Sequence, residues 1–217
     1  MTRESQVDDI KPVGRSTLAG RVYERLLESI LTGKITPAQH LVEQTLADQL
    51  KVSRIAVREA LRQLAKDQLV EIVPNRGAFV FSFSLDDVLE IYALRAALES
   101  MAVERVIQRG VTPDDINGLQ RLVDSMRDLE HRGDRLTGAG VDTEFHRTLM
   151  QLSHHRRAIE IWGQMSTLIR VIVYHVSNYY PEYAGLTRRH QGLVDLIRAG
   201  DEKQAVEHVK AHISEGA

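Results

Sequence analysis

The chain has 217 residues, enough for one large or two small domains, and its 43% hydrophobic and 27% charged residues are ordinary values for a packed core. It contains no cysteine, which excludes disulfides, cysteine-ligated zinc fingers and thiol catalysis together. The net charge of −2 conceals an asymmetry: residues 1–84 carry 12 Lys/Arg against 10 Asp/Glu (+2), and residues 85–217 carry 16 against 20 (−4).

The first 16 residues are polar and lack the apolar run of a signal peptide, so they are expected to form a disordered tail. The most apolar stretch, Leu168 to Val176, is short and interrupted by Arg170, so no membrane span and a cytoplasmic location are expected. Ser16 or Thr17 can cap a first helix in which Leu18, Val22, Leu26 and Ile30 recur every four residues, ended by Gly33. A short helix from about Val42 to Leu50 follows, then a tight Lys51-Val52 connection to Ser53, a good N-cap. The next helix buries Val57, Leu61 and Leu64. Leu69–Val73 and Ala78–Phe83 read as two strands joined by Pro74-Asn75-Arg76-Gly77. This order of helix, helix, tight turn, helix and two-stranded wing is a winged helix-turn-helix, expected at 17–82.

From Ser84 onward every pattern is helical. One long helix should run to about Gln108 and another from Pro113 to Gly133, with a loop marked by Gly133, Gly138 and Gly140. Further helices are expected at 141–153, 156–179, 187–199 and 201–214, about six in all. The fold class is therefore mainly α: a winged helix-turn-helix followed by an all-α bundle over 85–217.

Arg54, Arg58 and Arg62 fall at i, i+4 and i+8, opposite the Val57/Leu61/Leu64 stripe. Such a row is either a solvated face or a set of guanidinium forks for guanine edges and phosphates in the major groove. Ser53 could bond a phosphate at the helix N-terminus, and the tip residues Arg76 and Gly77 suit minor-groove or backbone contact. The run Leu41 to Leu64, with Ser53-Arg54-Ile55-Ala56-Val57-Arg58-Glu59-Ala60-Leu61, and the wing Pro74-Asn75-Arg76-Gly77-Ala78-Phe79-Val80 closely resemble GntR-type regulators. That resemblance implies DNA contacts from Ser53, Arg54, Ile55, Arg58, Arg62, Arg76 and Gly77. Ile55-Ala56 stands where Thr-Pro is common in the family, so base preference there does not carry over.

In the second half Asp142 and His146 sit at i, i+4 on one helix face, and His190 and His212 lie on later helices. One carboxylate and three imidazoles suit a divalent transition metal, but spacing alone equally fits a solvated face, and His208/His212 is a rival pair. The segments Ile91 to Glu99, Asp142 to His146, Arg189 to Asp201 and Ala205 to His212 look like the FCD effector domain of the FadR-like GntR branch. The resemblance implies a helical bundle and a metal (Zn, Ni, Mn or Fe) held by Asp142, His146, His190 and His212. His155 replaces an asparagine frequent nine residues after the motif histidine.

Helix 156–179 is apolar around most of its circumference, yet Arg170, Tyr174 and Ser177 form one polar stripe on it. A buried Arg170 needs an anion, either a structural carboxylate such as Glu99 or an anionic effector. Arg95 poses the same choice between an i, i+4 pair with Glu99 and an effector. The expected function is a homodimeric regulator of a near-palindromic operator, controlled by a small organic acid at Arg95, Arg170, Tyr174 and the metal. The alternatives are a metal-dependent enzyme, or a regulator whose signal is the metal itself.

Overall fold

A computed structural model describes residues 17–179 and 186–214. The tail expected at 1–16 lies outside the described residues. The elements, in chain order, are α1 (Leu18–Leu31), β1 (His40–Leu41), α2 (Glu43–Leu50), α3 (Arg54–Lys66), β2 (Val70–Val73), β3 (Gly77–Val80), α4 (Leu85–Arg109), α5 (Pro113–Arg132), α6 (Arg135–Leu152), α7 (Arg156–Tyr179), α8 (Leu186–Ala199) and α9 (Glu202–Ser214).

The amphipathic spacing that makes α1 and α3 helices also buries them. Val22, Leu26, Leu27, Ile30 and Leu31 of α1 share one core with Val57, Ala60, Leu61 and Leu64 of α3. Ser53 starts α3 by accepting the Ala56 N–H at 3.2 Å, and Lys51 ends α2 in the left-handed region (φ 55°), which makes the turn tight. The sheet has the order β1-β3-β2, all antiparallel, with Val70 opposite Val80 and Val73 opposite Gly77. The hairpin β2–β3 is the expected wing. The two-residue strand β1, pairing His40 with Phe79, adds a third strand that a run so short does not announce. Gly77 sits at φ +100°, and a Cβ there would lie 2.6 Å from His40 Nε2, so the wing tip requires glycine.

Six helices, α4 to α9, form the second half among the described residues. Capping boxes start α4 (Ser84 with Asp87) and α5 (Thr112 with Asp115, Pro113 following). The loop expected through Gly140 is a correction. Of these three glycines only Gly133 terminates a helix, at φ 68°; Asp134 then caps α6 by accepting the Thr137 N–H at 3.1 Å. Gly138 and Gly140 are helical, because the cap and a buried face outweigh the propensity cost of two glycines. A second core cluster surrounds Trp162, with Ala102, Ala139, Met150, Ala158, Met165, Ile169 and Val173. No described helix is long and apolar enough to cross a membrane.

Candidate DNA interface and metal centre

The core stripe of α3 points Arg54, Ile55, Arg58 and Arg62 outward, all exposed. Ile55 keeps 68% of its surface accessible, unusual for an isoleucine and consistent with a surface awaiting a partner. Ser53 uses its lone pair as a cap, which leaves its O–H to donate. Arg76 is exposed on the wing, its guanidinium carbon 5.7 Å above the Phe79 ring. Glu43, at the start of α2, is a residue the sequence did not single out. Its two carboxylate oxygens accept from Arg58 Nε at 2.9 Å and Nη2 at 2.7 Å, and Arg54 lies 3.8 Å away. Hydrogen bonds from Arg58 hold the Glu43 carboxyl below its ordinary range. Fifteen residues separate the pair, and no sequence signal links them.

The second site is buried where α6, α8 and α9 meet α4. Asp142 and His146 come from α6, His190 from α8 and His212 from α9. One ligand atom from each lies within 4.8 Å of all the others. His190 Nε2 is 3.1 Å from both Asp142 Oδ1 and His146 Nε2, and His212 Nε2 is 3.3 Å from His146 Nε2. His208 is elsewhere, with Nε2 2.7 Å from the Arg189 carbonyl, so the rival pair is not assembled.

Around these four sits a polar shell. Glu99 on α4 is fully buried; its Oε1 accepts from Arg95 Nε at 2.7 Å and Trp162 Nε1 at 2.9 Å. His146 Nδ1 lies 2.5 Å from Glu99 Oε2. Burial pushes the Glu99 carboxyl up, but His146 and Arg95 outweigh it and hold the group at about 2. Burial also opposes ionisation of Asp142, yet His190, His146 and Arg95 keep it well below the usual carboxylate range. Burial pushes His146 and His212 down, so both imidazoles favour the neutral form.

These facts test whether an ion fits. The Glu99 carboxylate assigns the His146 proton to Nδ1, which turns the Nε2 lone pair toward two other imidazole nitrogens about 3 Å away. Without an ion, approaches this short need one ring to donate an N–H to its neighbour; with an ion among them, all three Nε2 lone pairs and the Asp142 carboxylate can turn to it. Asp142 Oδ2 and Arg95 Nη2 are also buried without a hydrogen-bond partner, 3.9 Å apart. The donor set of three nitrogens and a carboxylate fits a divalent transition metal.

The sequence-level effector residues separate. Arg95 is 3% exposed and makes the i, i+4 pair with Glu99, one of its two alternatives, while its Nη2 faces Asp142. Arg170 does not reach Glu99. It packs beside Gly140 and lines a groove of about 440 Å³ between α1 and helices α5 and α6, with Leu27, Leu31, Leu136 and Glu144. Tyr174 is half-buried at the margin of both core clusters and meets His175 rather than the four ligands.

The family model described as "Bacterial regulatory proteins, gntR family" matches residues 18–80, and the model "FCD domain" matches residues 90–215. The chain belongs to the GntR family. It is a GntR-family transcriptional regulator with an FCD effector domain, not an enzyme. This GntR regulator is 28% identical over 211 residues to the uncharacterised HTH-type transcriptional regulator YdhC of Bacillus subtilis, covering 96% of this chain and 93% of that one. It is 27% identical over 203 residues to a probable D-xylose utilisation operon transcriptional repressor of Paenarthrobacter nicotinovorans, covering 93% and 88%. Its fold is similar to that of E. coli McbR/YncC, with a TM-score of 0.76 at 22% identity over 93% of this chain and 95% of the other.

Proposed function

We propose that this GntR regulator is a cytoplasmic, homodimeric repressor whose operator affinity is set by a small organic carboxylate at a divalent metal centre. The functional units are 17–82 for DNA and 85–217 for metal, effector and dimerisation. Ser53, Arg54, Ile55, Arg58, Arg62, Arg76 and Gly77 meet a near-palindromic duplex, with α3 in the major groove and the wing beside it. Exposure of all these residues on one domain supports this. The D-xylose repressor's name supports repression. Dimerisation is supported by an unpartnered apolar stripe on α4: Leu85, Leu89 and Leu94 are 69%, 45% and 52% exposed, with Ala93 and Ala97 exposed on the same helix.

The observation that carries the reading is the convergence of Asp142, His146, His190 and His212, with Arg95 Nη2 unpartnered beside them. Zn, Ni, Mn or Fe bound there supplies positive charge and open coordination positions. Glu99 orients His146, and Asp142 offers its charge to the same point. Arg95 spends Nε on Glu99 and keeps Nη2 for a ligand oxygen. With Asp142, Glu99 and Arg95 charged, and imidazoles that must be neutral to donate to an ion, the chain would contribute net −1, so a divalent ion would leave about +1 in a dry pocket. An anion answers that charge. Arg170 and Tyr174 would then act on an effector only through a second contact away from the four ligands.

Calorimetry of hydroxy and dicarboxylic acids against the metal-loaded dimer tests this. Binding should vanish on metal removal and weaken in Arg95→Ala, with operator affinity changing in parallel. Tight binding of a neutral compound, indifferent to the metal, would refute it.

A further inference from the structure

We propose that the Tyr23 hydroxyl is the junction through which occupancy of the buried His/Asp cluster reaches the DNA-reading helix. The proposal rests on the functional reading above of those two sites. Tyr23 is on α1 and half-buried. Its O–H donates to Asp67 Oδ2 at 2.6 Å, and Asp67 is the C-cap of α3. Helix α1 packs on α7, and the Thr167 side chain of α7 acts on the same phenol, opposing the rise in its pKa. The Tyr23 hydroxyl is thus bonded to the end of the recognition helix and faces a helix of the effector domain. Burial and the Asp67 carboxylate push the phenol far above its ordinary range, so it stays a donor at any working pH.

The other half of the connection is on α7 itself. Trp162, five residues before Thr167, donates its indole N–H to Glu99, and Glu99 meets His146. Five residues are about 7.5 Å along a helix axis and about 140° around it, so α7 presents one side to the cluster and another to Tyr23. Trp162, Leu168 and Ile169 are each 1% exposed. Close packing leaves little slack, so a displacement of Trp162 imposed through Glu99 is passed to Thr167 rather than absorbed. The groove beside Arg170, between α1 and the FCD helices, gives α1 room to answer.

The test compares full-length wild type, Y23F, T167V and the double variant, each loaded with Zn²⁺ and after chelation. DNA affinity is measured on a duplex selected from random sequence by the wild-type protein. Zn²⁺ affinity without DNA is measured by competition with a chelating dye. In wild type the two states should differ in DNA affinity by about fivefold or more, and in Y23F and T167V that ratio should fall to within about twofold of unity. The double variant should lose nothing further, because both substitutions break one connection. Zn²⁺ affinity should be unchanged in Y23F. A wild-type ratio retained in Y23F, additive losses in the double variant, or loss of Zn²⁺ binding in Y23F would each overturn the junction. A wild-type protein whose DNA affinity ignores Zn²⁺ would overturn the regulatory reading of the cluster, and the junction with it.

Discussion

Removing the metal should loosen the FCD domain by a calculable amount. The four ligands come from three helices, and His146 and His212 are 66 residues apart in the chain yet 3.3 Å apart in space. The unfolded chain has no such geometry, so an ion binds the native state alone and its binding energy adds to stability. At a free ion concentration 100-fold above its dissociation constant the gain is about 2.7 kcal/mol. For a chain of this size each kcal/mol moves the melting temperature by about 2–4 °C, so chelation should lower it by about 5–11 °C. Circular dichroism melts in metal-buffered solution measure the shift. In His190→Ala one of four donors is gone and the shift should shrink to below about 2 °C. An equal shift in that variant, or none in wild type at saturating ion, would refute the ligand assignment.

Arg58→Ala should weaken operator binding by about 1–3 kcal/mol in a gel-shift titration at fixed salt, and unchanged affinity would remove α3 from the groove. Arg95→Ala leaves Glu99 charged and buried without its cation, so urea denaturation should report a loss of about 3–5 kcal/mol; a loss below about 1 would mean the pair is solvated. The ion-free protein should also be acid-sensitive. Burial lowers the His212 and His146 pKa in the fold, so between that value and the ordinary 6.5 the unfolded chain binds more protons, and stability falls as pH drops below about 6.5. A second decline should follow between 4.5 and about 2 as Glu99 protonates. His212→Asn should flatten the first decline, and an unaltered profile would count against its burial.

What the sequence displayed was local. Val57, Leu61 and Leu64 mark the buried face of α3 by spacing alone, and Arg95–Glu99 is an i, i+4 pair that the helix makes on its own. The candidate metal ligands are different. Asp142 and His146 share a turn, but nothing in periodicity chooses His212 over His208; that choice came from the family resemblance. The contacts that tune the site were not visible. Trp162 is 63 residues from Glu99, and only the packing of α4 on α7 brings its N–H to the carboxylate. Arg170 was misleading for the opposite reason: a cation on an apolar helix predicts an anion, but not which neighbour faces it. Gly138 and Gly140 read as loop because propensity is a weak prior against a cap and a buried face.

Only residues 81–84 separate the last wing strand from the capped start of α4. The Phe81 and Phe83 rings pack at a 55° tilt within this link, centroids 4.8 Å apart, and Phe81 N–H is bonded to the Leu69 carbonyl at 2.9 Å. A link this short and packed should couple the two halves more tightly than a free tether would, so they should not be freely interchangeable parts. Chimeras that graft this DNA-reading half onto another effector domain should obey the new ligand only when the joint keeps its length and its aromatic pair. A flexible Gly/Ser spacer placed there would keep both folds and silence the response.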